Sequence, residues 1–229
     1  MKVGIILTTD NRSKAYIQKL IKNKIFLDDI ILMNSHHPEK TYSNEMILKS
    51  LESGFDISIP VSETLCKNNL KFHEFKFVDI NHPELIDYVR RSQIEYYLFT
   101  GGGILKNKIL TSGPKFIHFH PGIVPKYRGS TCFYYSIINE NNCGVTSFVM
   151  DEKLDTGDVI FQRVFPKPNH QYIDEIFDPF IRSETMIEVL KNNMINNGTH
   201  TKQDVLEGET YFIIHPVLKH ISIMSCITK

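Results

Sequence analysis

Residues 116–129 read FIHFHPGIVPKYRG and residues 144–160 read GVTSFVMDEKLDTGDVI. The run through Phe119 has the apolar and aromatic content of a strand. His118 and His120 sit two apart on it, so both project from one face. Pro121, Gly122, Pro125 and Gly129 follow at once and shape the loop at the strand's mouth. Asp155 lies in a loop, EKLDTG, between two further strand-like runs, Gly144 to Met150 and Val159 to Val164. If the two loops meet, the site holds two imidazoles and a carboxylate. A histidine near its reference pKa of ~6.5 takes a proton from an attacking amine, and a carboxylate beside it steadies the protonated ring. The same three side chains are also enough for a metal. Acid–base chemistry is the preferred reading, and no metal is expected.

The residues before this stretch alternate strand and helix. Val3 to Leu7 is a short, wholly apolar run that suits a central parallel strand. A helix follows, with Asp10, Asn11 or Ser13 as its cap and Ala15, Ile17, Leu20 and Ile21 at helical spacing. Asp29 to Met33 reads as a second strand. Helices are expected from Ser43 to Leu51 and from Val61 to about Asn68. Phe72 to Val78 alternates as a half-exposed strand, and Pro83 opens a helix with Leu85, Ile86 and Val89 inward. Glu95 to Phe99 is the next strand, ending at Gly101-Gly102-Gly103, where the lack of side chains permits close backbone approach to a ligand. A short helix over ILKNKIL precedes residue 116. This order predicts an α/β, Rossmann-like, mostly parallel sheet with helices on both faces. Ligand chemistry in such sheets collects beyond the C-terminal strand ends, where the opening stretch lies. The first loop has no glycine, which excludes a GxGxxG dinucleotide turn and a Walker loop.

After residue 165 the pattern changes to an irregular connection, then an amphipathic helix over Phe180–Asn196 ended by Asn197-Gly198. The tail suggests a small hairpin around Glu207-Gly208 and a final apolar segment that packs on the domain or on a second subunit. The expected division is a catalytic domain over 1–197 with a short C-terminal appendage over 198–229.

Composition narrows the classes. Of 229 residues, 41% are apolar, enough for a substantial core, and 26 Lys plus Arg balance 26 Asp plus Glu. Without a basic field, neither nucleic acid nor an acidic membrane surface is expected as a partner. Cys66, Cys132, Cys143 and Cys226 lack CxxC spacing, so zinc-ribbon and thioredoxin readings fall away and reduced thiols are expected. MKVGIILTT lacks the apolar core of a secretory signal, and no run reaches the ~18 residues of a membrane span. A cytoplasmic protein is the expectation.

The stretch resembles the signature of the folate-dependent formyltransferase family, most closely its sugar N-formyltransferases. That family carries Asn-x-His-Pro-Gly/Ser-x-x-Pro-x-Tyr-Arg-Gly, a Val-Thr run and Asp-Thr-Gly. Here stand His118-Phe119-His120-Pro121-Gly122-Ile123-Val124-Pro125-Lys126-Tyr127-Arg128-Gly129, then Val145-Thr146, then Asp155-Thr156-Gly157. The resemblance implies the formyltransferase fold, with His120 as catalytic histidine and Asp155 as its partner. The family's asparagine, expected to hydrogen-bond the formyl oxygen, falls on His118. Ser147 is a second departure, where many relatives place His. The implied cosubstrate is 10-formyltetrahydrofolate, against Gly101, Gly102, Gly103, Ile104 and Leu105 and against the loop from Met150 and Asp151 to Asp155. The implied acceptor is a nucleotide-linked amino sugar of bacterial surface-polysaccharide synthesis, with a dTDP-4-amino-4,6-dideoxyhexose as first candidate. Arg12 and Arg128 are candidates for its pyrophosphate, with Tyr127 beside them. The tRNA enzyme of the family has an added C-terminal domain, and the purine enzyme a glycine-rich loop after its first strand; here about 65 residues without net positive charge follow the catalytic segment and TTDNRS has no glycine, so neither enzyme is expected. A homodimer is expected. A formyltetrahydrofolate deformylase and a ligand-binding member impaired by His118 are the alternatives.

Overall fold

The computed structural model describes residues 1–35, 40–101, 103–204 and 206–227. Of the residues named above, Gly102 lies outside them. The chain forms two compact units, Met1–His118 and Phe119–Lys229.

The first unit is built on parallel strands. β1 (Val3–Leu7) is buried along its whole length, as its unbroken apolar run requires of a central strand. It pairs in parallel with β2 (Asp29–Met33) and with β4 (Tyr96–Phe99). β3 (His73–Phe75) pairs with β2 and β5 (Lys115–His120) pairs with β4, again in parallel. The order is β3-β2-β1-β4-β5. Gly4 sits mid-strand because a Cβ there would lie 2.5 Å from the Tyr97 ring. Isoleucine and leucine dominate β1 and β2, each fully buried side chain contributing about 1.5–3 kcal/mol.

Helices link the strands: α1 (Asn11–Lys22), α2 (Asn44–Glu52), α3 (Val61–Lys67), α4 (Pro83–Arg91) and α5 (Asn107–Leu110). Asp10 caps α1 by accepting from the Ser13 amide at 2.9 Å, and Pro83 opens α4. The strand order reverses at β1, with β2 on one side and β4 on the other. This is the topological switch point, and the crevice beyond it is where such sheets bind ligands.

The second unit begins at the end of β5. It contains β6 (Tyr127–Gly129), α6 (Cys132–Glu140) and the antiparallel pair β7 (Asn142–Val149) and β8 (Val159–Pro166), with an irregular register at Ser147/Phe148. A π-helical turn over Ile173–Phe177 runs into α7 (Asp178–Lys191), structure inside what the sequence suggests is an irregular connection. The helix expected over 180–196 stops at Asn192. Asn193 takes a left-handed φ of 51°, and a single turn, α8 (Met194–Asn197), follows. Asparagine visits that region easily, so a local backbone choice ends a helix whose apolar pattern continues.

The expected hairpin around Glu207-Gly208 does not form among the described residues. β9 (Glu209–Tyr211) instead pairs in parallel with β6. Gly208 has φ 78°, and a Cβ there would stand 1.8 Å from the Pro125 carbonyl. This glycine serves a close approach to a loop distant in sequence, where local pattern suggested a turn. α9 (Pro216–Ile227) ends the described chain.

Candidate active site

His120 closes β5, and its ring is almost wholly buried, at 2% exposure. Nε2 stands 2.9 Å from the Tyr127 carbonyl, and Nδ1 stands 3.3 Å from Asp155 Oδ2. A carbonyl only accepts, so Nε2 carries a hydrogen and donates it. Burial pushes the imidazole pKa below its ordinary value; Asp155 opposes this and the Arg182 charge adds to it. A neutral ring with its hydrogen committed at Nε2 presents a lone pair at Nδ1 to the carboxylate. A proton arriving at Nδ1 or at the carboxylate would be shared between them, an arrangement suited to a general base.

Asp155 is the more accessible member, with its side chain 11% exposed. Oδ2 also accepts from the Gly129 amide at 2.8 Å. Its backbone is left-handed, with φ 54°, a region that aspartate, like asparagine, enters more readily than most residues. Three features hold the loop. Gly157 lies so close to β7 that a Cβ would stand 1.7 Å from the Val149 carbonyl. Asp151 accepts from Thr156 Oγ1 at 2.9 Å and from the Lys153 amide at 3.1 Å. Gln203 Nε2 donates to the Asp155 carbonyl at 3.1 Å and to that of Gly157 at 2.7 Å.

The loop after β5 is held as closely. At Gly122 a Cβ would meet the Tyr127 carbonyl at 2.7 Å and His120 Nε2 at 2.8 Å. Thr146 on β7 donates to the Gly122 carbonyl at 2.6 Å and accepts from the Val124 amide at 3.2 Å, which gives the Val-Thr run a physical purpose. Gln162 Nε2 adds a bond to the Val124 carbonyl at 2.7 Å. From α7, Arg182 donates to the Phe119 carbonyl and to Asp178 Oδ1, both at 2.6 Å, with both side chains buried.

Tyr127 is buried, its hydroxyl donating to Glu140 at 2.8 Å and its ring stacked on Tyr211. Arg128 is buried, and Nη2 donates to the Glu207 carbonyl at 3.0 Å. Ser147 donates to the Phe161 carbonyl at 3.2 Å. Met150 is half-buried and Asp151 exposed.

In the first unit, His118 is half-buried on β5, tilted against Phe99. At the switch point, Ser13 Oγ and Thr100 Oγ1 are 2.7 Å apart, and Arg12 Nη1 donates to the Thr100 carbonyl at 2.7 Å. Gly101 lies beside Asp10 and Arg12, whereas Gly103 has φ 108° and faces open space. Ile104 is 76% exposed and Leu105 is buried. Asn81 brackets this loop, donating to the Ile104 carbonyl at 2.9 Å and accepting from the Lys106 amide at 2.7 Å.

Within the second unit the fold brings His120, Asp155 and Gly129 together. Sequence reasoning did not single out Arg182, Gln203 or Asn81. Arg182 left one signal, an opposite charge four residues earlier among apolar neighbours. Gln203 and Asn81 act through backbone carbonyls, which no residue pattern marks.

The formyl transferase family model matches residues 3–184. A methionyl-tRNA formyltransferase of Clostridioides difficile is 31% identical over 164 residues, 69% of this chain and 51% of the relative. This chain spans about half the length, or less, of the curated relatives it matches. Among solved structures, an N-formyltransferase from Helicobacter canadensis in complex with folinic acid and dTDP-3-aminofucose aligns with TM-score 0.64 at 17% identity, covering 100% of this chain and 81% of that one. A 4-N formyltransferase from Francisella tularensis aligns with TM-score 0.60 at 20% identity, covering 98% and 88%.

Proposed function

We propose, from the premise that this chain belongs to the formyl transferase family, that it moves a formyl group from 10-formyltetrahydrofolate to the amine of a nucleotide-linked amino sugar. The observation that carries this is the buried His120–Asp155 pair at the end of β5, with Nδ1 3.3 Å from the carboxylate and Nε2 held by the Tyr127 carbonyl. The likeness to a fold neighbour bound to folinic acid and a dTDP-amino sugar supports the choice of ligands. A dTDP-4-amino-4,6-dideoxyhexose is the first acceptor to test. We assign residues 1–197 to catalysis and 198–229 to an appendage that supports it.

The residues around the β4 end suit a flat folate ring. Gly103 leaves open space where a side chain would stand, and Ile104 offers an exposed apolar surface beside it. Gly101, Gly103, Ile104 and Leu105, with Met150 and Asp151, are the proposed folate contacts. When bound, the folate supplies a formyl group activated on nitrogen. The chain's own residues then manage the proton. Asp155, the more exposed partner, receives it from the attacking amine directly or through water, Nδ1 of His120 shares it, and the pair would return it to the folate nitrogen as the bond from that nitrogen to the formyl carbon breaks. Tyr127 holds the other ring nitrogen, so the imidazole cannot rotate away. His118, in the asparagine's place, donates to the formyl oxygen. Arg12 is the first candidate for the sugar's pyrophosphate. Arg128, already committed to Glu207, serves by positioning the 127–129 strand.

The test is turnover with 10-formyltetrahydrofolate and a panel of dTDP-, UDP- and GDP-amino sugars, read as a mass gain of one CO on the sugar. Formylation of at least one sugar, lost in His120→Ala and Asp155→Ala, is the expected result; full turnover in either variant refutes the assignment. One observation favours a second reading, a ligand-binding member without turnover: both ring nitrogens of His120 already face protein acceptors. That reading predicts binding of folate and nucleotide sugar with no formylated product.

A further inference from the structure

β6 is bonded along both of its edges. The backbone groups of successive residues in a strand point to opposite sides, so alternate residues serve different neighbours. On one side lies β9: the Glu209 amide donates to the Lys126 carbonyl at 3.3 Å, and the Ser130 amide donates to the Tyr211 carbonyl at 2.8 Å. Tyr127 and Gly129 face the other way. The Tyr127 carbonyl stands 2.9 Å from His120 Nε2, and the Gly129 amide donates to Asp155 Oδ2 at 2.8 Å. One short strand thus addresses both members of the reactive pair through its backbone. The segment that pairs with it is anchored mainly by polar and aromatic contacts. Of residues 206–214, Ile214 is buried, Tyr211 is half-buried and the others are exposed. The Tyr211 ring is stacked on Tyr127 at 5.3 Å and lies 4.4 Å from the Tyr135 ring. Thr131 Oγ1 accepts from the Ile214 amide at 3.0 Å, and the Tyr135 hydroxyl donates to the Phe212 carbonyl at 3.2 Å. Thr131 does this from a left-handed backbone, φ 54°, at the start of α6, and its side chain makes no capping bond to that helix. A β-branched residue there is a genuine outlier, and such strain collects where a local geometry has a use.

We propose that residues 207–214 are a positioning strap for the reactive pair, set by Gly208 at one end and Thr131 at the other. Two three-residue strands alone are marginal, so the anchors at the ends carry the arrangement. Gly208, at φ 78°, lets the strap pass where a Cβ would stand 1.8 Å from the Pro125 carbonyl. Thr131 hooks the far end through the Ile214 amide. Between them Gly129, at φ 100°, permits the contact itself, since a Cβ there would stand 2.2 Å from the Tyr211 carbonyl. With the strap in place, the Lys126 and Ser130 groups are spent on β9, and the Tyr127 carbonyl and Gly129 amide are left aimed at His120 and Asp155. Loosening the strap frees β6 to turn, and both bonds to the pair loosen together. Thr131 and Gly208 act on the pair only through β6. The strap lies beyond residues 3–184, the segment matched by the family model. Its effect on turnover rests on the formyl-transfer reading above; its effect on the His120 ring does not.

The experiment is NMR on the whole chain with isotopically labelled histidine, following the His120 Nε2–H signal, which is identified by its loss in His120→Asn. Turnover with the sugar panel is measured alongside. The variants are Thr131→Val, which keeps the branched shape but removes the hydroxyl; Thr131→Ser, which keeps the hydroxyl; and Gly208→Ala, which drives a methyl at the Pro125 carbonyl. In the wild type the Nε2–H should exchange slowly with water. Thr131→Val and Gly208→Ala should each speed that exchange roughly 2- to 13-fold, the factor that follows from one hydrogen bond's net contribution. They should lower kcat by up to the same factor while KM stays within about twofold. Thr131→Ser should bring both readouts back toward wild type. Exchange within about twofold of wild type in both strap variants overturns the proposal. So does a fall in Tm with the ring signal unmoved, the mark of a strap that serves stability alone. Should Gly208→Ala not fold, Thr131→Val and its serine counterpart decide. A wild type that formylates no sugar refutes the formyl-transfer reading, whereas an unmoved ring signal refutes the strap, so the two failures are distinct.

Discussion

Gln203 lies beyond the residues matched by the family model, yet it holds the loop that carries Asp155. Its Nε2 makes two bonds to loop carbonyls, at 3.1 and 2.7 Å. Each such bond contributes about 0.5–1.5 kcal/mol net. Gln203→Ala should therefore destabilise the loop by about 1–3 kcal/mol relative to the rest of the fold. With tenfold per 1.36 kcal/mol, the ratio of held to released loop falls ~5–150-fold. Hydrogen exchange of the amides in 152–158 should accelerate by that factor, and kcat/KM for formyl transfer should fall by up to the same factor, with most of the loss in kcat. Tm should move little, because the loss is local. Gln203→Glu is a sharper variant: it keeps the shape but turns an acceptor toward two carbonyls, so it should do no better than alanine. Exchange and kcat/KM both within twofold of wild type would refute the positioning role, as would a glutamate variant that restores activity.

Three other perturbations test the site's construction. Arg182→Met removes the buried ion pair to Asp178 and the bond to the Phe119 carbonyl; urea unfolding should show a loss of about 3–5 kcal/mol, and Arg182→Met/Asp178→Leu a smaller one. Gly122→Ala forces a methyl between the Tyr127 carbonyl and His120, so about 1–3 kcal/mol of stability should go with most of the activity, seen in thermal melts and turnover. The third concerns pH. The folded pKa of His120 is depressed below the unfolded ~6.5, so as pH falls below that value the unfolded chain takes up a proton that the folded one does not. Stability from this group is present above ~6.5 and is lost toward the folded pKa as pH falls. Wild type should show that slope in urea midpoints, and His120→Asn should not. The acid limb of kcat/KM should likewise lie below ~6.5.

His118, His120, Asp155 and the surrounding prolines and glycines stand out in the sequence because their chemistry and spacing are local. Strand and helix order in residues 1–118 is equally legible, since an unbroken run such as VGIIL can be satisfied only by burial on both faces. The hairpin expected at Glu207-Gly208 shows where that kind of reading stops. Gly208 is there for the Pro125 carbonyl and β9 for β6, partners some 80 residues away in register. Gln203, Asn81 and Thr146 bond to backbone atoms of other loops, and a backbone carbonyl looks the same at every position of a sequence. By itself, then, the sequence determined the parallel strands of the first unit and singled out His120 and Asp155, which the fold brings to 3.3 Å. Only the tertiary structure decided which side of the His120 ring is tied down, which residues hold Asp155, and that α9 turns its apolar side outward. Periodicity states how apolar residues recur, whereas the direction they face depends on what the rest of the chain leaves to be covered.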